Sequence, residues 1–211
     1  MPYLNVAINS KIWTIKRPGD LETYWDKMDD TIDEDHIPYW LEVWPAAKLL
    51  AELIVVNPAR FQRKIGLELG CGLGLVSMVA AEAGAKLLAI DLEKEALSFA
   101  RVNSQSNMVS NICFANMDWN RPALKAKSVD FILASDVLYE RRFFAPIVNF
   151  CYQVLKPCGF IWLSNPERNV SKEGISYFIQ QGWQVKQIGE NKISVSSNSS
   201  KTLVKVWEIT T

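Results

Sequence analysis

The stretch that decides the fold is Lys64-Ile65-Gly66-Leu67-Glu68-Leu69-Gly70-Cys71-Gly72-Leu73-Gly74. It begins as an apolar strand, carries an acid near the end of that strand, and then breaks into a turn with glycine at every second position. Glycine allows the backbone to turn tightly and to approach a ligand closely. A helical pattern begins directly afterwards, at Leu75. A strand, turn and helix in this order form the nucleotide crevice of open α/β sheets.

The details of this turn narrow the class of ligand. Its spacing is G-x-G-x-G, and Leu75 stands where the dinucleotide fingerprint G-x-G-x-x-G requires its third glycine. Glu68 places a carboxylate two residues before the first glycine, where it would repel a pyrophosphate. A carboxylate there suits a ligand with a positive end, and S-adenosylmethionine carries both an ammonium and a sulfonium. The turn therefore predicts a nucleotide-like ligand and argues against NAD.

Composition sets the broad class. With 211 residues, 49% of them hydrophobic, the chain is long enough for one well-buried α/β domain. The 23 basic and 23 acidic residues balance, so we expect no nucleic-acid partner. No stretch of about 18 apolar residues could span a membrane, and the first ten residues lack the pattern of a secretory signal. We expect a cytoplasmic protein with no membrane partner, and a monomer.

Cysteine and histidine usage argues against two other kinds of site. The four cysteines show no C-x-x-C spacing, which predicts reduced thiols in the core and no metal site. His36 is the only histidine, far in sequence from any nucleophile elbow, which disfavours a hydrolase.

Residues 20–35 hold eight acids and one base. This run predicts a solvated face, with a lysine-rich partner as the sharper alternative.

From residue 64 onward, strand and helix patterns alternate. The predicted strands are 65–69, 86–90, 111–115, 129–134 and 159–163, and the predicted helices are 75–83, 93–104, 143–155 and 171–180, the last capped by Ser171. Segments 183–188 and 203–209 have no helix between them and should pair antiparallel. The predicted fold class is α/β: a Rossmann-like, seven-stranded, mostly parallel sheet with an antiparallel C-terminal hairpin and helices on both faces. Residues 64–211 form this domain, and residues 1–63 an N-terminal extension packed on it as a lid for substrate and cofactor.

Acids and aromatic residues follow the predicted strands at the edge where ligands bind. Asp91 ends the second strand, 21 positions after Gly70, where a carboxylate accepts hydrogen bonds from ribose hydroxyls. A helix N-cap is the alternative, and the two roles are compatible. Asp118 and Trp119 follow the third strand. They could bind the adenine amino group and pack on its ring, or form a surface turn with a core tryptophan.

The fourth strand ends in Ser135-Asp136-Val137-Leu138-Tyr139. Strand carboxyl ends are where ligands lie, so we expect Asp136 and Tyr139 to face the reacting end of the cofactor. The alternative is a helix cap with a packing tyrosine.

Together these motifs resemble class I S-adenosylmethionine-dependent methyltransferases, and more closely the seven-β-strand protein lysine methyltransferases of methyltransferase family 16. The resemblance is carried by Val43-Trp44-Pro45-Ala46-Ala47, Glu68 to Val76, Asp118-Trp119 and Asp136-Val137-Leu138-Tyr139. The tryptophan–proline motif combined with D-x-x-Y is much more specific to this family than the glycine turn.

The resemblance implies S-adenosyl-L-methionine as cofactor, S-adenosyl-L-homocysteine as product, and a role for each matching residue. It places Trp44 at the cofactor pocket, Gly70, Cys71 and Gly72 around the methionine part, Glu68 near its ammonium, Asp91 at the ribose, Trp119 at the adenine, and Ser135 in contact with the cofactor. Asp136 and Tyr139 would line the target amine, with Asp136 binding and orienting it. Many relatives carry a small residue other than cysteine at position 71.

The implied function is N-methylation of a lysine in a protein substrate. The alternatives are a small-molecule N-methyltransferase acting on nicotinamide or another amine, and a non-catalytic S-adenosylmethionine-binding module. A DNA amino methyltransferase is disfavoured because Asn165-Pro166 follows the fifth strand, whereas the corresponding motif of those enzymes follows the fourth.

Overall fold

A computed structural model of the chain describes residues 2–19, 21–25, 37–194 and 201–211. The strands are β1 Tyr3–Ile8, β2 Lys11–Lys16, β3 Ile65–Leu69, β4 Lys86–Asp91, β5 Ile112–Asn116, β6 Val129–Ser135, β7 Leu155–Pro166, β8 Gln184–Ile193 and β9 Thr202–Thr210. The helices are α1 Leu21–Trp25, α2 Pro45–Val56, α3 Leu75–Glu82, α4 Lys94–Ser106, α5 Phe144–Val154 and α6 Asn169–Gln180. His36 and most of the acidic run lie outside the described residues. No helix of the described part is long and apolar enough to cross a membrane.

The main sheet has seven strands in the order β5-β4-β3-β6-β7-β9-β8. β3 pairs in parallel with β4 and β6, β4 with β5, and β6 with β7. β9 pairs antiparallel with both β7 and β8. The predicted fold class is confirmed, including the C-terminal hairpin. After β3 the chain adds β4 and β5 on one side, and it then returns to add β6 and β7 on the other side of β3. A ligand crevice opens at such a topological switch point, here between β3 and β6.

Helices cover both faces of the sheet, and β6 shows why. Phe131 and Leu133 belong to the hydrophobic cluster formed with α2 and α3, whereas Ile132 and Ala134 belong to the cluster formed with α5 and α6. A parallel strand that is buried on both faces reads as a continuous apolar run rather than an alternating one. The apolar sequence 129–134 thus follows from its central position in the sheet.

A β-hairpin near the N-terminus was not predicted. β1 and β2 pair antiparallel in a separate two-stranded sheet, joined by a turn in which Asn9 has a positive φ of 51°. The alternate residues Val6 and Ile8 on β1 and Trp13 and Ile15 on β2 are buried in the cluster that includes α2 and α3. The hairpin therefore packs on the main domain through one apolar face.

Asn103 of α4 and Asn107, the C-cap residue of that helix, bind this hairpin. Asn103 accepts a hydrogen bond from the Lys16 amide (2.7 Å) and donates to the Lys16 carbonyl (3.1 Å). Asn107 makes the same pair of bonds with Thr14, at 3.1 and 2.9 Å. Asn103 also donates to the carbonyl of Leu73 (3.0 Å). The hairpin, α4 and the glycine turn are thereby linked through one buried side chain.

Two local predictions were wrong. Ser171 does not cap α6, because the helix begins at Asn169 and Arg168 is its N-cap residue. The Ser171 hydroxyl is instead buried, without a hydrogen-bond partner among the described residues. The four cysteines are free thiols, but only Cys71 and Cys151 are buried, whereas Cys113 and Cys158 are exposed.

Candidate active site

A cavity of about 510 Å³ opens at the carboxyl ends of the central strands. Its walls come from the glycine turn, from the segments that follow β4, β5 and β6, and from residues 37–47 before and within α2. All eleven predicted site residues line it: Trp44, Glu68, Gly70, Cys71, Gly72, Asp91, Asp118, Trp119, Ser135, Asp136 and Tyr139. The structure thus brings together residues that span 96 positions of the sequence.

The glycine turn forms one wall of the cavity. Gly70, Gly72 and Gly74 all have positive φ, at 62°, 49° and 86°, a region that side chains with a Cβ disfavour. A Cβ on Gly70 would lie 3.4 Å from Val137 Cγ1 and 3.6 Å from Trp119 Cζ3. The absence of a side chain at Gly70 keeps this part of the cavity wide enough for a ligand.

Asp91 ties the end of β4 to the glycine turn. Its Oδ2 accepts a hydrogen bond from the Gly72 amide (2.8 Å), and its Oδ1 accepts one from the Glu93 amide (3.0 Å). Burial raises the pKa of this carboxyl above its usual value, and the two amides oppose that rise. Each oxygen keeps acceptor capacity, so Asp91 can also receive ribose hydroxyls.

Glu68 is a buried carboxyl at the end of β3. The Ser77 hydroxyl of α3 donates a hydrogen bond to it. Burial raises the pKa of Glu68 to about 8, the Ser77 bonds oppose the rise, and the charge of Asp91 adds to it. In the free protein this group is therefore protonated at neutral pH, and a cation beside it would favour its ionised form.

The charge balance of the cavity fits a cationic ligand. Among its described lining residues, seven carry carboxyl groups (Glu42, Glu68, Asp91, Glu93, Asp118, Asp136 and Glu140) and one, Arg142, carries a guanidinium. Arg142 pairs with Glu140 at 2.6 Å. The residues present thus fit S-adenosylmethionine, because its positively charged ammonium and sulfonium would balance the negative charge of these carboxyl groups.

Asp118 and Trp119 follow β5 and line the cavity beside the glycine turn. Asp118 Oδ1 accepts two hydrogen bonds from Asn120, from its backbone and side-chain nitrogens, both at 2.8 Å. These bonds form a local turn that leads into Trp119. The Trp119 ring meets Phe143 edge-on, with 5.3 Å between centroids. Residues 118–120 therefore form the turn that the sequence predicts as one alternative, and Trp119 also lines the cavity, as the other alternative requires.

Asp136 occupies a strained position after β6. Its φ is +55°, and its amide donates to the Ser164 carbonyl of β7 (2.8 Å). Its side chain is only 7% exposed and pairs with Arg168, at 3.2 Å for Nη1–Oδ1 and 3.5 Å for Nη2–Oδ2. Burial raises the pKa of the Asp136 carboxyl, and Arg168 opposes this. A strained, buried carboxyl in a cavity points to a functional role.

Aromatic rings continue from Asp136 along the cavity. Tyr139 packs against Tyr39 and Phe143, with centroids 5.9 and 5.1 Å apart, and Tyr39 also lies 6.2 Å from Trp44. Trp44 Nε1 donates to the Tyr39 carbonyl (2.8 Å), which holds both rings at the start of α2. Burial raises the pKa of Tyr139 to about 12, so its hydroxyl stays protonated at physiological pH.

Sequence reasoning missed several residues that shape the site. Ser77, Phe143 and Arg168 touch predicted site residues but belong to no recognised motif. Asn165 is almost fully buried within β7 and does not line the cavity. The prediction that Asn165-Pro166 follows this strand was wrong, because both residues lie within β7.

Comparisons with known proteins agree with this geometry. The family model described as lysine methyltransferase, methyltransferase family 16, matches residues 32–181. The histone-arginine methyltransferase METTL23 of Mus musculus is 28% identical over 151 residues, covering 67% of this chain and 60% of that protein. The protein N-lysine methyltransferase METTL21A of Xenopus tropicalis is 29% identical over 127 residues, covering 58% of this chain and 59% of that protein.

The chain thus matches about 60% of the length of these curated relatives. Among solved structures, an S-adenosylmethionine-dependent methyltransferase from Aquifex aeolicus superposes with a TM-score of 0.60 at 16% identity, covering 78% of this chain and 92% of that one. At this identity the superposition speaks for the fold alone. The family match runs from the segment before α2 to the end of α6, and on that ground this chain belongs to the lysine methyltransferase family of S-adenosylmethionine-dependent methyltransferases.

Proposed function

We propose that this protein transfers a methyl group from S-adenosylmethionine to the side-chain nitrogen of a protein lysine. The observation that carries the proposal is Asp136, a nearly buried carboxylate in the same cavity as the candidate cofactor residues. It is followed by Tyr139, whose ring packs against Tyr39 and Phe143. An acid beside aromatic faces attracts a cation both by charge and by cation–π contact.

Bound S-adenosylmethionine supplies a methyl group already activated by its sulfonium. The protein then has to align the acceptor nitrogen and keep water out. Asp136 binds the incoming ammonium and fixes its direction, while the rings of Tyr39 and Tyr139 line its path. A carboxylate raises the pKa of an adjacent amine. Loss of the amine proton therefore depends on desolvation between the rings, because Tyr139 remains protonated.

A protein arginine is the second candidate acceptor. Asp136 already receives both terminal nitrogens of a guanidinium, that of Arg168, so its carboxylate suits that group as well as an ammonium. METTL23, one of the relatives, is described as a histone-arginine methyltransferase. Lysine and arginine acceptors would use the same donor site and the same acid.

The test is incubation of the full chain with methyl-labelled S-adenosylmethionine and a lysate, followed by amino-acid analysis of the labelled protein. Methyllysine supports the proposal, and methylarginine supports the second candidate. Label confined to metabolites would favour a small amine, and no transfer at all would favour a binding module.

Two variants test whether Asp136 is required for the transfer. Asp136→Ala should abolish transfer while sparing cofactor affinity. Asp130→Asn should leave transfer intact, because Asp130 lies at the opposite end of β6 and pairs with Lys156. Near wild-type turnover by Asp136→Ala would refute the role assigned to Asp136.

A further inference from the structure

Arg168 reaches Asp136 from outside the cavity. Asp136 lines the cavity wall, whereas Arg168 is not among the lining residues. The two are 32 positions apart in sequence, and both terminal nitrogens of the guanidinium face the two carboxylate oxygens. Each carboxylate oxygen has a second acceptor direction. The contact with Arg168 therefore leaves Asp136 able to receive a donor from the cavity side.

The backbone holds Arg168 in place on a short, fixed connection. The Arg168 amide donates to the Pro166 carbonyl (2.9 Å), and the Glu167 amide donates to the Leu203 carbonyl of β9 (2.8 Å). The neighbouring carboxylate, Glu167, is occupied by Lys172 and Lys205, each at 3.1 Å. The guanidinium is thus directed past its sequence neighbour to Asp136.

Helix energetics do not explain a cation at this position. Arg168 is the N-cap residue of α6, and its side chain makes no capping hydrogen bond. The positive end of the helix macrodipole disfavours a cation there. The contact that compensates is the nearly buried carboxylate of Asp136, since a buried charge requires a paired partner.

We propose that Arg168 is a positioning residue for methyl transfer, which holds the Asp136 carboxylate ionised and directed at the acceptor. This inference rests on the proposed function, because the direction of Asp136 matters only if an acceptor reaches it. Without Arg168, the buried carboxyl would take up a proton at higher pH and could rotate away from the cavity.

Other charges near Asp136 are already matched with one another. In the segment after β6 and at the start of α6, Glu140 pairs with Arg142, Arg141 with Glu173, and Glu167 with Lys172 and Lys205. Across the cavity, the carboxyls of Glu68 and Asp91 accept hydrogen bonds from Ser77 and from the Gly72 and Glu93 amides. The charge that acts on the pKa of Asp136 is that of Arg168. A measured pKa of Asp136 therefore tests whether the charge of Arg168 acts on this carboxyl.

The experiment compares the full-length wild type with Arg168→Met, Arg168→Gln, Arg168→Lys and, as a matched control, Arg141→Gln. Arg141, in the segment after β6, pairs with Glu173 of α6, and both side chains are exposed. Carbon-13 NMR of the side-chain carboxyls gives the pKa of Asp136 in the free protein. We expect the pKa to move up in both neutral Arg168 variants, to return toward wild type in Arg168→Lys, and to stay unchanged in Arg141→Gln.

Kinetics provide the second readout. The neutral Arg168 variants should lose roughly tenfold to a hundredfold in kcat/KM for the acceptor at pH 7, with the acidic limb of the pH profile shifted upward and cofactor affinity unchanged. An unshifted Asp136 pKa in the neutral variants would overturn the inference, even if activity fell. A wild type that methylates nothing would instead overturn the proposed function, while the NMR comparison still decides whether Arg168 controls Asp136.

Discussion

The Gly72 amide donates a 2.8 Å hydrogen bond to the carboxylate of Asp91. This bond joins the turn after β3 to the end of β4 across two neighbouring parallel strands. It fixes the glycine turn and the proposed ribose acid in one rigid unit. This wall of the candidate donor site is therefore fixed at the carboxyl edge of the sheet.

Asp91→Asn should weaken S-adenosylmethionine binding by about tenfold or more. The variant loses charge-assisted hydrogen bonds, to the ribose and to Gly72, and each is typically stronger than a neutral one. Isothermal calorimetry measures the change, with Asp130→Asn as the control at the opposite end of the sheet. Equal affinity of Asp91→Asn and wild type would remove Asp91 from the donor site.

The free protein should lose stability as pH rises from about 4.5 to about 8. The pKa of Glu68 is about 8 in the folded chain against an ordinary value of 4.5. Between these values the folded state binds more protons than the unfolded state, so the free energy of unfolding falls with rising pH, by up to about 1.4 kcal/mol per unit. The pKa values of Asp91 and Asp136 are also raised, so each contributes with the same sign as pH rises above the ordinary aspartate value of 3.8.

Glu68→Gln should flatten this pH dependence, because glutamine keeps a polar partner for Ser77 without ionising. Denaturant melts at several pH values provide the measurement. Glu95→Gln on the exposed face of α4 is the control and should leave the slope as in wild type. An identical slope for Glu68→Gln and wild type would show that Glu68 is not the group responsible.

Cofactor binding near pH 7 should release a proton from Glu68. The free carboxyl is protonated there, and the ligand ammonium favours its ionised form. Calorimetry in buffers of different ionisation enthalpy counts the released protons. Wild type should release a substantial fraction of one proton, and Glu68→Gln should release much less. Equal release by the two proteins would separate Glu68 from the ligand ammonium.

Gly70→Ala and Gly182→Ala form a matched pair. Both glycines have positive φ, at 62° and 88°, so each substitution should cost about 1–2 kcal/mol of stability. A Cβ on Gly182 meets nothing within 4 Å, whereas one on Gly70 projects toward Val137 and Trp119. Only Gly70→Ala should also weaken cofactor binding. Equal cofactor affinity in both variants would place the ligand away from the turn.

Tyr139→Phe should keep the pH profile of kcat between pH 7 and 10, since the pKa of Tyr139 is about 12 and its hydroxyl does not act as a base. Tyr139→Ala removes two ring contacts and should lower kcat/KM by roughly tenfold. Tyr152→Ala, on the exposed side of α5, is the control. A basic limb lost only in Tyr139→Phe would show that the hydroxyl takes part in proton transfer.

The sequence predicts which residues line the cavity because the motifs that supply them are local. Each motif lies at the end of a strand: the glycine turn after β3, Asp91 as the last residue of β4, and D-x-x-Y after β6. Parallel strands bring their carboxyl ends to one edge of the sheet. Contacts between distant segments were not predictable in this way. Arg168 meets Asp136 only because β6 pairs with β7, so that the ends of the two strands lie side by side, and no local pattern predicts that pairing.

The N-terminal hairpin is a different kind of omission. Val6 and Ile8 alternate with the polar or small residues Asn5, Ala7 and Asn9, and Asn9-Ser10 separates them from Trp13 and Ile15. On the second strand Ile12 interrupts the alternation, and its side chain is exposed. This alternation around a turn is a hairpin signal. By contrast, the start of α6 is set by the backbone bonds around Arg168 rather than by a serine cap, so Ser171 was a misleading signal.

The central claim is that the cavity binds an adenosyl sulfonium donor, and calorimetric titration of the full chain with S-adenosylmethionine tests it most directly. We expect one site per chain with a dissociation constant below about 1 mM, and no comparable binding of NAD, because the turn lacks the third glycine of the dinucleotide fingerprint and the cavity lining is rich in carboxyl groups. Absence of S-adenosylmethionine binding at several times that concentration, or tighter binding of NAD, would contradict it.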